Sequence, residues 1–500
     1  MDDTTERISP IMPVMSIGDI SPDSFRAAAH AAVDWIADYL EQASHPVRSR
    51  VAPGDIRRAL PAAPPSQGEA LNAMLADFQQ TIVPGITHWN HPAFFAYFAN
   101  SASYPGILGE LLAAGLNANG MLWITSPAVT ELEVVTLDWL RQLMGLSDGW
   151  FGEITDTASV STFYALAAAR ELAGLDVRTK GMADRADLPR LRVYCSEHAH
   201  SSIDKAVIAL GLGHENLVKI PTDAQYRLRP DALDAAITAD VAAGFRPIAV
   251  VPCVGTTSIT SVDPVRAVVE IARRHQCWVH VDAAYGGVTA IVPEMRWMMD
   301  GVDAADSFVV NPHKWLFTPM DCSVFYTRDR EAVKRAFALL PEYLVTATTG
   351  DDTINLMDYG IQLGRRFRSL KLWMVIRAFG ADGLAERIRY HCELAREFAG
   401  MVHFEGAPWE LTAPVTMSLV CFRYAPAGLS EDAIAVLNGR IMETVNARGH
   451  AYLSHTRIDG RYMLRLAIGN IRTDRTHIET AWRELRDAAA AERSGVSATR

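Results

Sequence analysis

Short apolar segments rich in β-branched residues alternate with helical segments between about residues 90 and 343, and this rhythm constrains the fold most. The apolar segments are residues 191–196, 248–254, 278–282 and 307–311. Helical patterns at 201–212 and 263–276 separate the first three of them. Alternation of this kind is typical of a parallel sheet covered by helices on both faces. We therefore predict an α/β protein with a large, mostly parallel sheet.

The regions that flank this alternating pattern predict other structures. Ser21 and Pro22 precede an apolar pattern typical of an amphipathic helix. Beyond residue 366, the pattern predicts a helical region, a strand at 417–424, a hairpin and a last helix at about 474–491. We predict an N-terminal helical segment, a large domain and a small α+β domain, with bounds 1–89, 90–375 and 376–500.

Charge and cysteine usage narrow the functional class. The chain has 47 Lys and Arg residues against 58 Asp and Glu residues, a formal charge of -11 that argues against a nucleic-acid partner. The six cysteines form no CxxC pair, which favours reduced thiols in the cytoplasm. The sequence contains no run of about 18 uncharged apolar residues, so we predict no membrane span.

Polar residues follow the predicted strands at the point where each strand ends. In open parallel sheets, ligands bind beyond the carboxyl ends of the strands, so one pocket could receive all of these side chains. The residues are His200, Thr256, Thr257, Asp282, Asn311, His313 and Lys314.

Lys314 is one of six lysines, and it alone directly follows a wholly apolar segment. Desolvation lowers the pKa of such an amine, which could then form an imine with an aldehyde. A surface lysine at a strand end is the alternative.

Asp282 ends the strand at 278–282 and precedes two alanines, which leave room for a flat ring. A buried carboxylate requires a partner, and a protonated pyridine nitrogen would supply one. A helix N-cap and a metal ligand are the alternatives. His198, His200 and His280 lack a third convergent ligand, so we predict no metal.

Thr157, Ala158 and Ser159 open an alanine-rich helix whose free N–H groups could hold a phosphate. A simple helix cap is the alternative, and we expect Asp156 to cap this helix. His200 could stack on an aromatic cofactor, or it could be a core histidine. Thr257 and Asn311 could donate to phosphate oxygens.

Taken together, these motifs make the chain similar to the group II decarboxylases that depend on pyridoxal 5′-phosphate (PLP), most closely the aromatic-L-amino-acid decarboxylases. The resemblance runs through most of the chain, and its most specific segments are DTAS (156–159), YCSEHAHSS (194–202), VGTT (254–257), HVDAAYGG (280–287) and NPHKWL (311–316). It implies PLP as cofactor and fold type I, with a large PLP domain and a small C-terminal domain. It also implies a homodimer in which the N-terminal segment embraces the partner.

The resemblance also implies roles for single residues. Lys314 would bond the cofactor aldehyde, Asp282 would pair with the ring nitrogen, and His200 would stack on the ring. Tyr343, in the segment 341–355, would supply a proton to the substrate Cα. Surrounding the cofactor ring or phosphate would be Thr157, Ala158, Ser159, Thr257, Ala284, Asn311 and His313.

Two of these residues bear on the reaction. Aldehyde synthases of the family typically replace the loop tyrosine by phenylalanine or the stacking histidine by asparagine, whereas this chain keeps Tyr343 and His200. We therefore predict decarboxylation of an L-amino acid to its amine and CO₂. The alternatives are an aldehyde synthase and a non-catalytic homologue that binds through its dimer surface.

Aromatic residues before the large sheet predict an aromatic substrate. Trp89, Tyr97 and Phe98 could form one wall of the pocket. Ordinary core packing is the alternative. The resemblance places Met121 where a phenylalanine from the partner subunit often lines the substrate pocket. Because Asn90 and Met121 depart from the residues common in aromatic decarboxylases, a non-aromatic substrate stays open.

Overall fold

The computed structural model describes residues 18–339 and 353–497. Contacts between residues divide the chain into two units, residues 1–88 and residues 89–500. Among the described residues, no helix is both long and apolar enough to cross a membrane.

The first unit is helical. Its helices are α1 (Pro22–Gln42), α2 (Asp55–Ala59) and α3 (Leu71–Asp77). The predicted start of α1 is confirmed, because Pro22 is its first residue and the Ser21 side chain accepts a hydrogen bond from the N–H of Ser24. Within this unit, the Tyr39 hydroxyl lies 2.7 Å from Nδ1 of His88.

A seven-stranded sheet forms the centre of the second unit. Its strands are β1 (Phe151–Thr155), β2 (Leu191–Ser196), β3 (Leu217–Ile220), β4 (Arg246–Val251), β5 (Trp278–Asp282), β6 (Ser307–Val310) and β7 (Ser323–Thr327), in the spatial order β1-β7-β6-β5-β4-β2-β3. The run from β6 to β3 is parallel, and β7 is antiparallel to both of its neighbours. The predicted mostly parallel sheet is confirmed.

Helices cover both faces of this sheet, as alternate residues of one strand show. On β4, Val250 belongs to one hydrophobic cluster, whereas Ala249 and Val251 belong to the other. The helices of this part of the chain are α4 (Tyr104–Leu116), α5 (Pro127–Leu143), α6 (Ala158–Leu172), α7 (Val177–Lys180), α8 (Ser202–Ala209), α9 (Pro230–Ala242), α10 (Val265–Arg274), α11 (Pro312–Trp315) and α12 (Arg330–Phe337).

The C-terminal part of the second unit is a smaller α+β layer. Helices α13 (Ser369–Glu405), α14 (Glu431–Arg448) and α15 (Arg475–Ser497) accompany an antiparallel sheet. Its strands are β8 (Trp409–Leu411), β9 (Leu419–Tyr424), β10 (Ser454–Ile458) and β11 (Arg461–Ala467), in the order β10-β11-β9-β8. The predicted hairpin is confirmed, since β10 and β11 pair across a turn at Asp459 and Gly460. The expected boundary at residue 375 falls inside α13, which breaks at Gly380 with a φ of 63° that favours glycine.

Candidate active site

The carboxyl ends of β4, β5 and β6 are tied together by backbone hydrogen bonds. The N–H of Val254, after β4, donates to the carbonyl of Asp282 at 2.9 Å. The N–H of Asn311, after β6, donates to the carbonyl of Ala284 at 3.0 Å. Asp282 is the last residue of β5, and Lys314 lies in α11. The structure therefore brings the predicted strand-end residues together.

Lys314 carries a desolvated amine. Burial lowers its pKa, and the negative charge of Asp282 opposes this shift. Its Nζ lies 5.6 Å from the centre of the Phe98 ring. A lowered pKa leaves a larger neutral fraction of the amine, which is the nucleophilic form. Lys314 is not an exposed surface lysine.

Asp282 is 6% exposed and has capacity for another partner. Its Oδ1 accepts the N–H of Ala284 at 3.1 Å. A carboxylate can accept several hydrogen bonds, and a buried one requires a positive partner. A protonated ring nitrogen fits this carboxylate. Among the described residues, no group of three or more His, Cys, Asp or Glu side chains could hold a metal ion.

His200 lies near both of these residues. Burial lowers its pKa, Asp282 opposes the shift, and the positive charge of Lys314 adds to it. Its Nδ1 accepts the N–H of Ser202 at 3.1 Å, so this nitrogen carries no proton. Although its ring is partly desolvated by its surroundings, His200 keeps an exposed face, which excludes the core-histidine alternative. A neutral, exposed imidazole at this place can cover a flat ring.

The N-terminus of α6 offers hydrogen-bond donors. Thr157 is the N-cap residue, and its side chain makes no capping bond. The expectation that Asp156 caps the helix is wrong, because its Oδ1 instead accepts the N–H of Thr157 at 2.6 Å. The N–H groups of Ala158 and Ser159 have no acceptor in the described part of the chain. These two donors and the helix dipole fit a phosphate group.

Two buried side chains, those of Asn311 and His313, shortly precede Lys314 in sequence. Oδ1 of Asn311 accepts the Ser323 hydroxyl at 2.7 Å. Nδ1 of His313 accepts the N–H of Cys322 at 3.0 Å, and burial lowers the pKa of His313 to about 3. His313 is therefore neutral and holds the turn that carries Lys314.

A stack of aromatic rings packs against the turn that carries Lys314. Phe98 stacks on Tyr285 with ring centres 3.7 Å apart, and Tyr285 stacks on Trp315 at 4.8 Å. The indole Nε1 of Trp315 donates to Nδ1 of His391 at 2.9 Å. Because Trp315 follows Lys314 directly, this stack anchors the lysine-bearing turn to α13.

Replacing His391 by asparagine should weaken the pH dependence of stability. Burial lowers the pKa of His391 to about 4. Between pH 6.5 and that value, the unfolded chain takes up a proton that the folded chain refuses, so stability falls by ~2 kcal/mol at pH 5. Asparagine keeps an acceptor for Trp315 and does not titrate. Thermal midpoints at pH 7 and pH 5 should differ less in this variant than in the wild type.

A matched control comes from the same helix. His403 is exposed on α13, so His403→Asn should keep the wild-type difference between the two midpoints. If the midpoints at pH 7 and pH 5 differed by the same amount in wild type and in His391→Asn, the predicted effect of His391 on stability would be contradicted.

Arg465, on β11, is a site residue that the sequence reasoning missed. Its Nη2 donates to the carbonyl of Thr257 at 2.7 Å, and its Nε donates to the carbonyl of Ser258 at 2.9 Å. Its Cζ lies 5.5 Å from the centre of the Phe98 ring. Arg465 thus joins the small sheet to the segment after β4. The available signal was an arginine that interrupts the apolar run at 462–468.

The predicted aromatic wall is only partly assembled around Lys314. Phe98 lies beside the lysine, and Trp89 stacks on Tyr97 with ring centres 5.6 Å apart. Trp89 and Tyr97 are 38% and 50% exposed, so core packing does not explain them. Met121 packs against Leu122 and Met357, and its predicted place in the substrate pocket stays a prediction. Tyr343 lies outside the described residues.

Comparisons with known proteins agree with this geometry. The model of a family described as "Pyridoxal-dependent decarboxylase conserved domain" matches residues 53–425. Tyrosine decarboxylase 4 of Petroselinum crispum is 40% identical over 486 residues, which are 94% of each chain. Phenylacetaldehyde synthase of Petunia hybrida is 40% identical over 487 residues, 94% of this chain and 95% of the relative.

The fold is also that of a solved structure. The crystal structure of Oryza sativa TDC with PLP and tryptamine has a TM-score of 0.90 and 37% identity, and the match covers 95% of this chain and 100% of that one. The likeness includes both sheets, since it extends over nearly the whole of the present chain.

Proposed function

This chain belongs to the pyridoxal-dependent decarboxylases, and from that membership we propose that it converts an aromatic L-amino acid to its amine and CO₂. The observation that carries the proposal is that the desolvated Lys314 and the buried Asp282 lie near the carboxyl ends of two adjacent strands, β6 and β5. PLP is the cofactor that these two side chains fit.

The chain's own residues have separate tasks in this reaction. When bound, the cofactor supplies a cationic ring that accepts the electrons of the breaking bond. Lys314 would hold the cofactor through its aldehyde and would be displaced by the amine of the substrate. Asp282 keeps the ring nitrogen protonated, and His200 covers one ring face. Ala158 and Ser159 hold the phosphate through their N–H groups.

Support for an aromatic substrate comes from the rings near Lys314. Phe98 is 5.6 Å from the amine, and the stacked pair of Trp89 and Tyr97 precedes it in the chain. Aromatic side chains pack favourably on such surfaces. Tyrosine decarboxylase 4 and the rice protein solved with tryptamine point to the same substrate class.

A substrate panel tests this proposal. The purified protein with PLP is incubated with L-tyrosine, L-tryptophan, L-phenylalanine, L-DOPA, L-leucine and L-glutamate, and CO₂, amine and peroxide are measured. We expect equal amounts of CO₂ and amine from at least one aromatic substrate. Turnover of only leucine or glutamate would contradict the aromatic assignment, and peroxide with aldehyde would favour the synthase alternative.

Tyr343 is proposed as the group that protonates the substrate Cα, on the strength of its place in the family motif. Replacing it by phenylalanine removes the acidic hydroxyl while keeping the ring. With dissolved dioxygen as the oxidant, which is reduced to peroxide, we expect the product to shift from amine toward aldehyde and ammonia, as in the synthases. Tyr326→Phe is a matched control, since that buried hydroxyl donates to the carbonyl of Leu137. The same yield of amine per CO₂ in wild type and Tyr343→Phe would contradict the role.

A homodimer is proposed from an exposed apolar stripe on α4. Tyr104, Leu108, Leu111, Leu112 and Leu116 recur at helical spacing and are 47–65% exposed. Contiguous apolar surfaces of this kind mark protein contacts. We propose that residues 1–89 join this interface, because the exposed Phe25 and Val33 of α1 also lack an apolar cover.

Light scattering tests the dimer. We expect a mass of two chains for the wild type and a lower mass for the double variant Leu111→Glu, Leu112→Glu. Val436→Glu is the control, because Val436 is 55% exposed on α14 and lies outside the stripe. A single-chain mass for the wild type at micromolar concentration would contradict the proposal.

A reducing, cytoplasmic setting is proposed from the thiols. All six cysteines are free and buried. Burial raises the pKa of Cys195, Cys277 and Cys322 to about 12, which keeps these thiols protonated.

A further inference from the structure

Three buried hydroxyl groups link the turn before Lys314 to the N-terminus of α6. Thr155 ends β1, Ser323 begins β7 opposite it, and Ser161 lies in the first turns of α6. All three side chains are at most 4% exposed. At one end of this hydroxyl chain is the amide oxygen of Asn311, and at the other is the carbonyl of Thr157.

The hydroxyl protons can be assigned by counting. Carbonyl and amide oxygens only accept, so Ser323 donates to Oδ1 of Asn311 at 2.7 Å. Thr155 donates to the carbonyl of Thr157 at 3.2 Å, which is the nearer of its two carbonyl acceptors, since the carbonyl of Ser323 lies 3.4 Å away. Ser161 then donates to Oγ1 of Thr155 at 2.9 Å. No proton remains for the contact between Ser161 and Ser323, whose two oxygens lie 3.4 Å apart.

This assignment orients a donor at each end of the hydroxyl chain. Because the Asn311 oxygen faces Ser323, its NH₂ group is turned the other way. In a trans peptide, the C=O and N–H groups point in opposite directions. The carbonyl of Thr157 accepts the Thr155 hydroxyl and also the N–H groups of Val160 and Ser161 in α6. The N–H of Ala158 therefore points away from the hydroxyl chain, and the Thr155 bond adds to the helical bonds that hold this peptide.

We propose that Thr155, Ser161 and Ser323 are positioning residues that aim the Asn311 amide and the Ala158 N–H at the phosphate of the cofactor. They set the affinity for the phosphorylated cofactor without touching it. This inference rests on the proposed placement of PLP between Lys314 and α6.

The test compares two ligands that differ only in the phosphate. Dissociation constants of the cofactor-free protein for PLP and for pyridoxal, which lacks the phosphate, are measured by absorbance and fluorescence titration. Ser323→Ala and Ser161→Ala each remove one hydroxyl. We expect PLP binding to weaken by about tenfold for Ser323→Ala and severalfold for Ser161→Ala, with pyridoxal binding changed less than about twofold.

Thr162→Val supplies the matched control. Thr162 is the residue next to Ser161 on α6, is fully buried, and has a hydroxyl with no partner in the described part of the chain. This variant should leave the ratio of the two dissociation constants at the wild-type value. Should Ser323→Ala fail to fold, as judged by its thermal midpoint, Ser161→Ala carries the comparison.

The outcomes separate the hydroxyl chain from the cofactor placement. Equal weakening of both ligands would show a general structural role and overturn the proposal, as would unchanged PLP binding in both variants. A wild-type protein that binds PLP no better than pyridoxal would instead overturn the proposed placement of the phosphate, and this inference with it.

Discussion

Replacing Lys314 by alanine is expected to lower turnover of the aromatic substrate by at least about 10³-fold, because the variant loses the amine that holds the cofactor aldehyde. The visible absorbance of the lysine-bound cofactor should disappear at the same time. Alanine removes the methylene groups of a buried side chain, so a modest fall in thermal midpoint is the only expected structural effect.

The control for this prediction is another lysine. Lys180 is exposed and pairs with Asp176 on the surface, so Lys180→Ala should keep both activity and absorbance. Retention of the visible absorbance in Lys314→Ala would remove this lysine from the mechanism, even if activity fell.

Replacing Asp282 by asparagine is expected to lower turnover by about 10²- to 10³-fold. Asparagine has the same shape and can still accept the N–H of Ala284, so the end of β5 should stay intact. The negative charge is lost, however, and the ring nitrogen of the cofactor is then no longer held in its protonated form. Turnover at saturating PLP separates this loss from weaker cofactor binding.

Asp303→Asn serves as the matched control. Asp303 is a partly exposed aspartate whose Oδ1 pairs with Arg328, and neither residue lies at the carboxyl ends of β4, β5 and β6. This change should leave turnover within about twofold of wild type, since exposed ion pairs contribute little. Full activity in Asp282→Asn would show that the carboxylate does not pair with the cofactor.

The sequence was informative about the parallel strands of the sheet that are buried on both faces. β2 and β5 coincide with the predicted segments because continuous apolar runs survive in a covered parallel sheet. β3 was not predicted, since it is four residues long and contains Lys219. β7 was not predicted either, because it pairs antiparallel with two strands that lie far from it in sequence order.

Residues of the site were predictable only where they follow a local sequence pattern. Lys314 and Asp282 could be found from a local pattern, because Asp282 ends an apolar strand and Lys314 comes shortly after another. Arg465 and His391 could not, since they reach the site from elements more than 70 residues away from Trp315 in sequence. Their roles depend on tertiary packing, which brings distant segments within hydrogen-bond distance.

The hydroxyl chain is the feature of the site that was least predictable from the sequence. Thr155, Ser161 and Ser323 are ordinary residues in ordinary elements, and only the pairing of β1 with β7 places them in contact. No spacing in the sequence distinguishes Ser161 from the neighbouring Thr162, whose hydroxyl has no partner in the described part of the chain.

Mapping the lysine that bonds the cofactor tests the central claim most directly. The protein loaded with PLP is reduced with borohydride, digested, and analysed by mass spectrometry, so that the bond between cofactor and lysine is preserved in one peptide. We predict that the modified peptide contains Lys314, with modification lost in Lys314→Ala. Stoichiometric modification of a different lysine, such as Lys371 or Lys205, would contradict the account.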